Sequence, residues 1–125
     1  VSPRMEISGV VLGAPDARSL AAFYERLLGW RRDQDEPDWV KLVPPGGGTG
    51  LSFQTEPGHV PPVWPHTPGD QRMTAHLDIR VDDLAEGCAH AAACGARLAG
   101  FQPQPDVRVH LDPAGHPFCL WTGPA

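Results

Sequence analysis

At 125 residues the chain is long enough for one domain with its own core, and a chain of this size buries about 65 to 70% of the surface its unfolded form exposes. Lys and Arg total 10 against 15 for Asp and Glu, a net charge of −5 with no basic stripe, so nucleic acid is not an expected partner. Cys88, Cys94 and Cys119 are odd in number and lack C-x-x-C spacing, and no apolar run approaches the ~18 residues of a membrane span. Together these argue against a disulfide framework, a zinc knuckle and a membrane anchor. The opening Val1-Ser-Pro-Arg4 has no leader-like apolar core, and a cytoplasmic location is expected.

In chain order, residues 7–12 read as a strand, followed by a helix with Leu20, Phe23, Tyr24, Leu27 and Leu28 on one apolar stripe. Asp16 is its expected N-cap and Gly29 its C-terminal stop. Strands follow at 30–32, 39–43 and 50–54, with Pro44-Pro-Gly-Gly-Gly48 as a hairpin turn. Residues 55–73, with prolines at 57, 61, 62, 65 and 68, can neither pair in a sheet nor continue a helix. They form a connector, either a plain crossover or a lid that offers Trp64 with His59 and His66 nearby. A strand at 75–81 then leads into a second helix, capped by Asp82 or Asp83, with Leu84, Cys88, Ala91 and Ala92 as its thinner stripe and Gly95 as its stop. Strands at 97–100, 107–111 and 117–121 close the chain, the last two joined by the turn Asp112-Pro-Ala-Gly115.

The two halves repeat. Gly9 and His76, Asp16 and Asp83, and Ser52 and Cys119 are each 67 positions apart. The pattern is βαβββ twice, module one at 5–54 and module two at 74–122, and neither copy is expected to bury its own apolar face alone, so the two are read as partners.

Strand alternation names the candidate ligand-facing residues. Leu77, Ile79 and Val81 face the helices, which turns His76, Asp78 and Arg80 to the opposite side. The same parity turns Ser52, Gln54, Cys119 and Trp121 inward, together with Trp39 and Lys41. For residues 107–111 the two available arguments disagree. Val107, Val109 and Leu111 look like the core face, whereas aligning the two hairpin turns pairs Leu42 with His110, so Arg108 and His110 are open between the two faces. His76 near Asp78 could serve as a general base, against the plainer reading of a histidine bonded within its sheet. Asp78 and Arg80 could simply pair with one another. Cys119 could be an activated nucleophile if His76 reaches it, or a cysteine that only packs. Cys88 and Cys94 read as fillers, and His90 and His116 are given no role.

Ala14-Pro-Asp16, Ala22-Phe-Tyr24 and Leu28-Gly-Trp30, then His76-Leu-Asp-Ile-Arg-Val-Asp-Asp83, Gly95-Ala96 and Asp112-Pro-Ala-Gly-His-Pro-Phe-Cys-Leu120, carry a family resemblance. The chain resembles the vicinal oxygen chelate superfamily of glyoxalases, bleomycin-resistance proteins and extradiol dioxygenases, and within it the glyoxalase-like domain proteins. The resemblance implies a single α+β domain, 5–125, whose two βαβββ modules form one cupped mixed sheet with helices outside and ligand inside, and it implies a homodimer. In metal-using members a divalent ion is held by four residues, whose positions here are Gly9, Ser52, His76 and Cys119. Glycine offers no donor and serine a poor one, so two ligands remain and neither metal nor other cofactor is expected. A glyoxalase I reaction is correspondingly disfavoured.

The function expected is metal-free binding of a small aromatic or planar molecule, with Trp39, Trp121 and Trp64 as flat apolar faces and Lys41, Ser52, Gln54, Asp78, Arg80, His110 and Cys119 around them. The alternative is a lyase, isomerase or dioxygenase-type enzyme with His76 as base or metal ligand and Arg80 or Lys41 stabilising an oxyanion. An interaction module with a vestigial cup is a third reading. The polar lining speaks against it.

Overall fold

The apolar stripe that begins at Leu20 ends at a glycine, and the helix does the same. In the computed structural model, which describes residues 2–123, α1 spans Ala17–Leu28 and stops where Gly29 turns to φ 70° and returns its N–H to the Glu25 carbonyl at 2.9 Å. α2 spans Leu84–Cys94 and ends likewise at Gly95. Residues 1, 124 and 125, on which the expected leader-free start and the end of the expected domain fall, lie outside the described residues.

In the first module β1 (Gly9–Ala14), β2 (Arg31–Glu36), β3 (Trp39–Val43) and β4 (Gly50–Thr55) form a sheet of order β1-β4-β3-β2. β1 runs parallel to β4, and the other neighbours are antiparallel. The second module repeats this with β5 (Leu77–Arg80), β6 (Arg97–Leu98), β7 (Val107–Leu111) and β8 (Pro117–Trp121), in the order β5-β8-β7-β6 with β5 parallel to β8. Two tandem βαβββ modules are therefore present. Their strands hydrogen-bond as two four-stranded sheets, where the resemblance led us to expect one. The chain divides into two compact units after His59.

Each sheet packs one face on its helix. In module one Leu20, Phe23 and Tyr24 of α1 are fully buried with Val40, Leu42, Leu51 and Phe53 of the sheet, and the Tyr24 ring stacks on Phe53 at 5.5 Å between centroids. Burying one such side chain stabilises by about 1.5 to 3 kcal/mol. In module two the buried helix residues shrink to Ala91 and Cys94, and the apolar bulk comes from Phe118 and Leu120 of β8. The helix starts differ too. Asp83 accepts a hydrogen bond from the Glu86 backbone N–H at 2.9 Å, the capping arrangement expected. Asp16 holds the cap position without bonding the backbone. Its carboxylate accepts from the Ser19 hydroxyl at 2.6 Å, while the Ala17 N–H goes to Thr55 Oγ1 at 3.1 Å.

From Val60 onward the proline-rich connector belongs to the second unit. Val63 N–H bonds the Gln71 carbonyl at 2.7 Å, and Asp70 takes both the N–H and the hydroxyl of Thr67. A side chain on Gly115 would stand 2.7 Å from Pro61, so the strap is seated on the Asp112–Gly115 turn at a spot where only glycine fits.

Candidate functional site

The parallel register of β5 and β8 dictates which side chains meet. Leu77 lies opposite Phe118 on the helix-facing side, Asp78 lies opposite Cys119, and Arg80 lies opposite Trp121. Cross-strand partners share a face, so Asp78, Arg80, Cys119 and Trp121 come together on the side away from Leu77 and Phe118. His76, one residue ahead of β5, folds its Nε2 to within 3.1 Å of Asp78 Oδ1. Asp78 also accepts a hydrogen bond from the Cys119 thiol. The donor atoms of His76, Asp78 and Cys119 lie within 4.8 Å of one another.

Burial pushes the Cys119 thiol above its ordinary pKa, and the negative charge and hydrogen bond of Asp78 push the same way. The group is held as a thiol, which is the opposite of the activated thiolate that a cysteine nucleophile requires. Arg80 does not pair with Asp78. Its Nε donates to the Gly123 carbonyl at 2.8 Å, and its guanidinium meets Asp82 at 3.3 Å. Asp78 is thereby left to His76 and Cys119.

β7 contributes apolar surface to this face. Val109 lies opposite Cys119, Val107 opposite Trp121, and Leu111 opposite Pro117. His110 is accordingly on the other side, a correction to its place among the ligand-facing candidates. It is 1% exposed, its ring stacks on Phe118 at 5.4 Å, and its Nδ1–H donates to the Arg108 carbonyl at 3.2 Å. Burial lowers its pKa. Arg108 shares that side, close enough to α2 for its charge to act on the Cys88 thiol.

In module one the register Trp39↔Gln54 and Lys41↔Ser52 places these four on one face, as alternation predicts. Trp39 Nε1 donates to Gln34 Oε1 and Gln54 Nε2 to Glu56 Oε1, both at 2.5 Å. Ser52 is 2% exposed, and a side chain on Gly9 would lie 3.8 Å from its hydroxyl. Trp64 packs on Phe101 at 5.9 Å between rings and donates to the Phe101 carbonyl at 3.3 Å. A hollow beside the Pro44–Gly48 turn and another at residues 66–72 contain none of the candidate residues.

The four-position donor set implied by the resemblance does not fit this chain, because Gly9 has no donor and Ser52 offers only a buried hydroxyl. A different trio does gather, all from module two. The two-donor count covered only the four positions implied by the resemblance, among which His76 and Cys119 remain; the His76-x-Asp78 spacing was the signal for the third.

The family model for the glyoxalase-like domain matches residues 9–121. Among solved structures, a glyoxalase/bleomycin resistance protein/dioxygenase family enzyme from Burkholderia phytofirmans PsJN superposes with a TM-score of 0.71 at 19% identity, covering 94% of this chain and 98% of that one. TnmS3, an antibiotic-binding protein from Streptomyces sp. CB03234, superposes with a TM-score of 0.60 at 20% identity, covering 99% of this chain and 100% of that one. A mutant of the fosfomycin resistance protein FosX from Listeria monocytogenes, complexed with Mn(II) and a dihydroxypropylphosphonic acid, gives a TM-score of 0.70 at 13% identity, with 98% and 93% covered. At these identities the likeness establishes the fold. No curated protein matches the sequence. No helix among the described residues is long and apolar enough to cross a membrane.

Proposed function

This chain belongs to the glyoxalase-like domain family, and from that premise we propose that it binds a small planar molecule on the polar face of its second module, independently of the four-donor metal centre of metal-using relatives. The observation that carries this reading is the company Trp121 keeps. Arg80 lies opposite it on one strand and Val107 on the other, with Asp78 and Cys119 one pair further along the face. An indole beside aliphatic side chains accepts a flat ring, and the Asp78 carboxylate and the half-exposed Arg80 orient its polar substituents. The likeness in fold to TnmS3, described as an antibiotic-binding protein, supports the same class of activity.

Naphthol and naphthoate are suitable probes, one donating to Asp78 and the other accepting from Arg80. Saturable quenching of tryptophan emission is expected in the presence of chelator, and Trp121→Ala should weaken it about tenfold, the loss of roughly one stacking contact. Absence of saturable quenching with either probe, or an unchanged affinity in Trp121→Ala, overturns the reading.

One distance favours a second reading as a metal-independent isomerase or lyase. With Nε2 committed to Asp78 at 3.1 Å, His76 is oriented as a general base acting through Nδ1. Deuterium exchange at the carbon next to the carbonyl of dihydroxyacetone, followed by NMR, tests it. Exchange that survives chelator and disappears in His76→Gln supports it; exchange at the rate of buffer refutes it.

A further inference from the structure

We propose that the first module carries an anion site of its own, at Lys41 and Ser52, which takes the carboxylate of a small monocarboxylic acid with an apolar body. This goes beyond the reading given for the second module and does not rest on it.

Lys41 is the only lysine of the chain, in a protein with a net charge of −5. Arg4, Arg18, Arg31, Arg32 and Arg80 each meet a carboxylate within 3.6 Å, whereas Lys41 meets none among the described residues. It is nonetheless half-buried. An ammonium partly withdrawn from water without a counter-charge is unfavourable until an anion joins it.

The strands place the rest of the site. Lys41 lies opposite Ser52 on β3 and β4, and Ser52 lies opposite Val11 on β4 and β1, so the three form one row across a single face. Two positions along the same face Gly9 lies opposite Gly50, and neither fills the space above it. A Cβ on Gly50 would stand 2.8 Å from Lys41 Cε and 2.9 Å from the Leu42 carbonyl, so the lysine stem lies over this glycine and no larger residue fits beneath it. A Cβ on Gly9 would lie 3.8 Å from the Ser52 hydroxyl. Ser52 is 2% exposed, and its hydroxyl has no partner among the described residues. Every fully sealed side-chain polar atom there does have a partner, so this hydroxyl retains an opening.

The row sets the chemistry of the ligand. One ammonium and one hydroxyl match a singly charged group with two oxygens, each accepting one hydrogen bond, whereas a phosphate dianion would bring a second charge with no second cation in the row. Val11, 51% exposed at the other end of the row, gives the apolar body a surface to cover. The acidic side chains do not oppose this. Glu36 lies opposite Trp39 and Glu56 accepts from Gln54, both on the far side of the Lys41–Ser52 row from Gly50.

The test is titration of isotope-labelled protein with sodium benzoate, followed by amide NMR, with benzamide as the uncharged counterpart. Saturable shifts are expected at Gly9, Gly50 and Ser52, with benzamide about tenfold weaker or more. Lys41→Met should weaken benzoate about tenfold, the loss of one charge-assisted hydrogen bond. Arg97→Met, which removes an exposed cation of the second module, should leave it unchanged. Because no other lysine competes, acetylation of Lys41 read by peptide mass checks the unmutated chain: benzoate should slow it and benzamide should not. The proposal is overturned by shifts that do not saturate or that miss all three residues, by benzamide binding as well as benzoate, by an unchanged affinity in Lys41→Met, or by acetylation indifferent to benzoate. Naphthol carries no carboxylate, so its binding and that of benzoate stand or fall separately.

Discussion

Gly9, Val11 and Ser52 in the first module and His76, Asp78 and Cys119 in the second are separated by the same 67 positions, although Gly9 is paired in its ladder and His76 lies just ahead of its own. Val11 lies opposite Ser52 across β1 and β4 as Asp78 lies opposite Cys119 across β5 and β8. One trio offers no strong metal donor; the other offers three. Strand pairing in this unit is therefore set by the helix crossover and the hairpin turns, and the chemistry of the open face is an overlay that each copy carries independently. The cores diverge in the same way. Module one fills the space under its helix with Phe23, Tyr24 and Phe53, whereas module two uses a thin helix of alanines and a stacked His110–Phe118 pair.

The largest test of this contrast is Phe53→Ala. The ring is fully buried and stacked on Tyr24, and its loss should lower stability by about 3 to 5 kcal/mol in denaturant unfolding. Leu120→Ala, at the equivalent place in module two, should cost about 3 kcal/mol, and a loss above that of Phe53→Ala would break the distinction between aromatic and aliphatic cores.

The next test is pH. Burial lowers the pKa of His110 below that of the unfolded chain, so the unfolded state takes up the proton first. Stability contributed by the neutral imidazole is intact above about pH 6.5 and falls as pH drops below that, by at most about 1.4 kcal/mol per pH unit. Unfolding curves collected from neutral to mildly acid pH should show this slope, and His110→Phe should flatten it. An unchanged slope would remove His110 from the list of differences between the modules.

The smallest test separates two aspartates. Asp83→Ala removes a carboxylate bonded to the Glu86 N–H and should cost about 1 kcal/mol, whereas Asp16→Ala removes one bonded to the Ser19 hydroxyl and should cost less. Equal losses in thermal unfolding would show that the two helix starts are equivalent after all.

Helix limits were legible because glycine at Gly29 and Gly95 and aspartate at Asp16 and Asp83 act locally. The strands Trp39–Val43, Val107–Leu111 and Pro117–Trp121 coincide with their expected limits, since turn residues flank them. β5 is shorter than expected, Leu77–Arg80, because Ala75 and His76 lie ahead of the ladder. His110 was ambiguous for a physical reason. Val109 is also buried, so both faces of β7 are covered and alternation stops reporting direction, while a carbonyl of its own strand satisfies the imidazole. The alternative in which Asp78 pairs with Arg80 followed from their spacing alone. What overrides it is the register with β8, which brings Cys119 to Asp78, and the Gly123 carbonyl, which draws Arg80 away. Neither is visible in a single strand.

In each module the earliest strand pairs in parallel with the latest, β1 with β4 and β5 with β8. His76 and Cys119 are 43 residues apart, so the trio exists only after a long loop has closed, and during synthesis His76 and Asp78 leave the ribosome well before their sulfur partner. Nascent chains interrupted ahead of Pro117 carry two of the three residues, His76 and Asp78, on an unpaired strand.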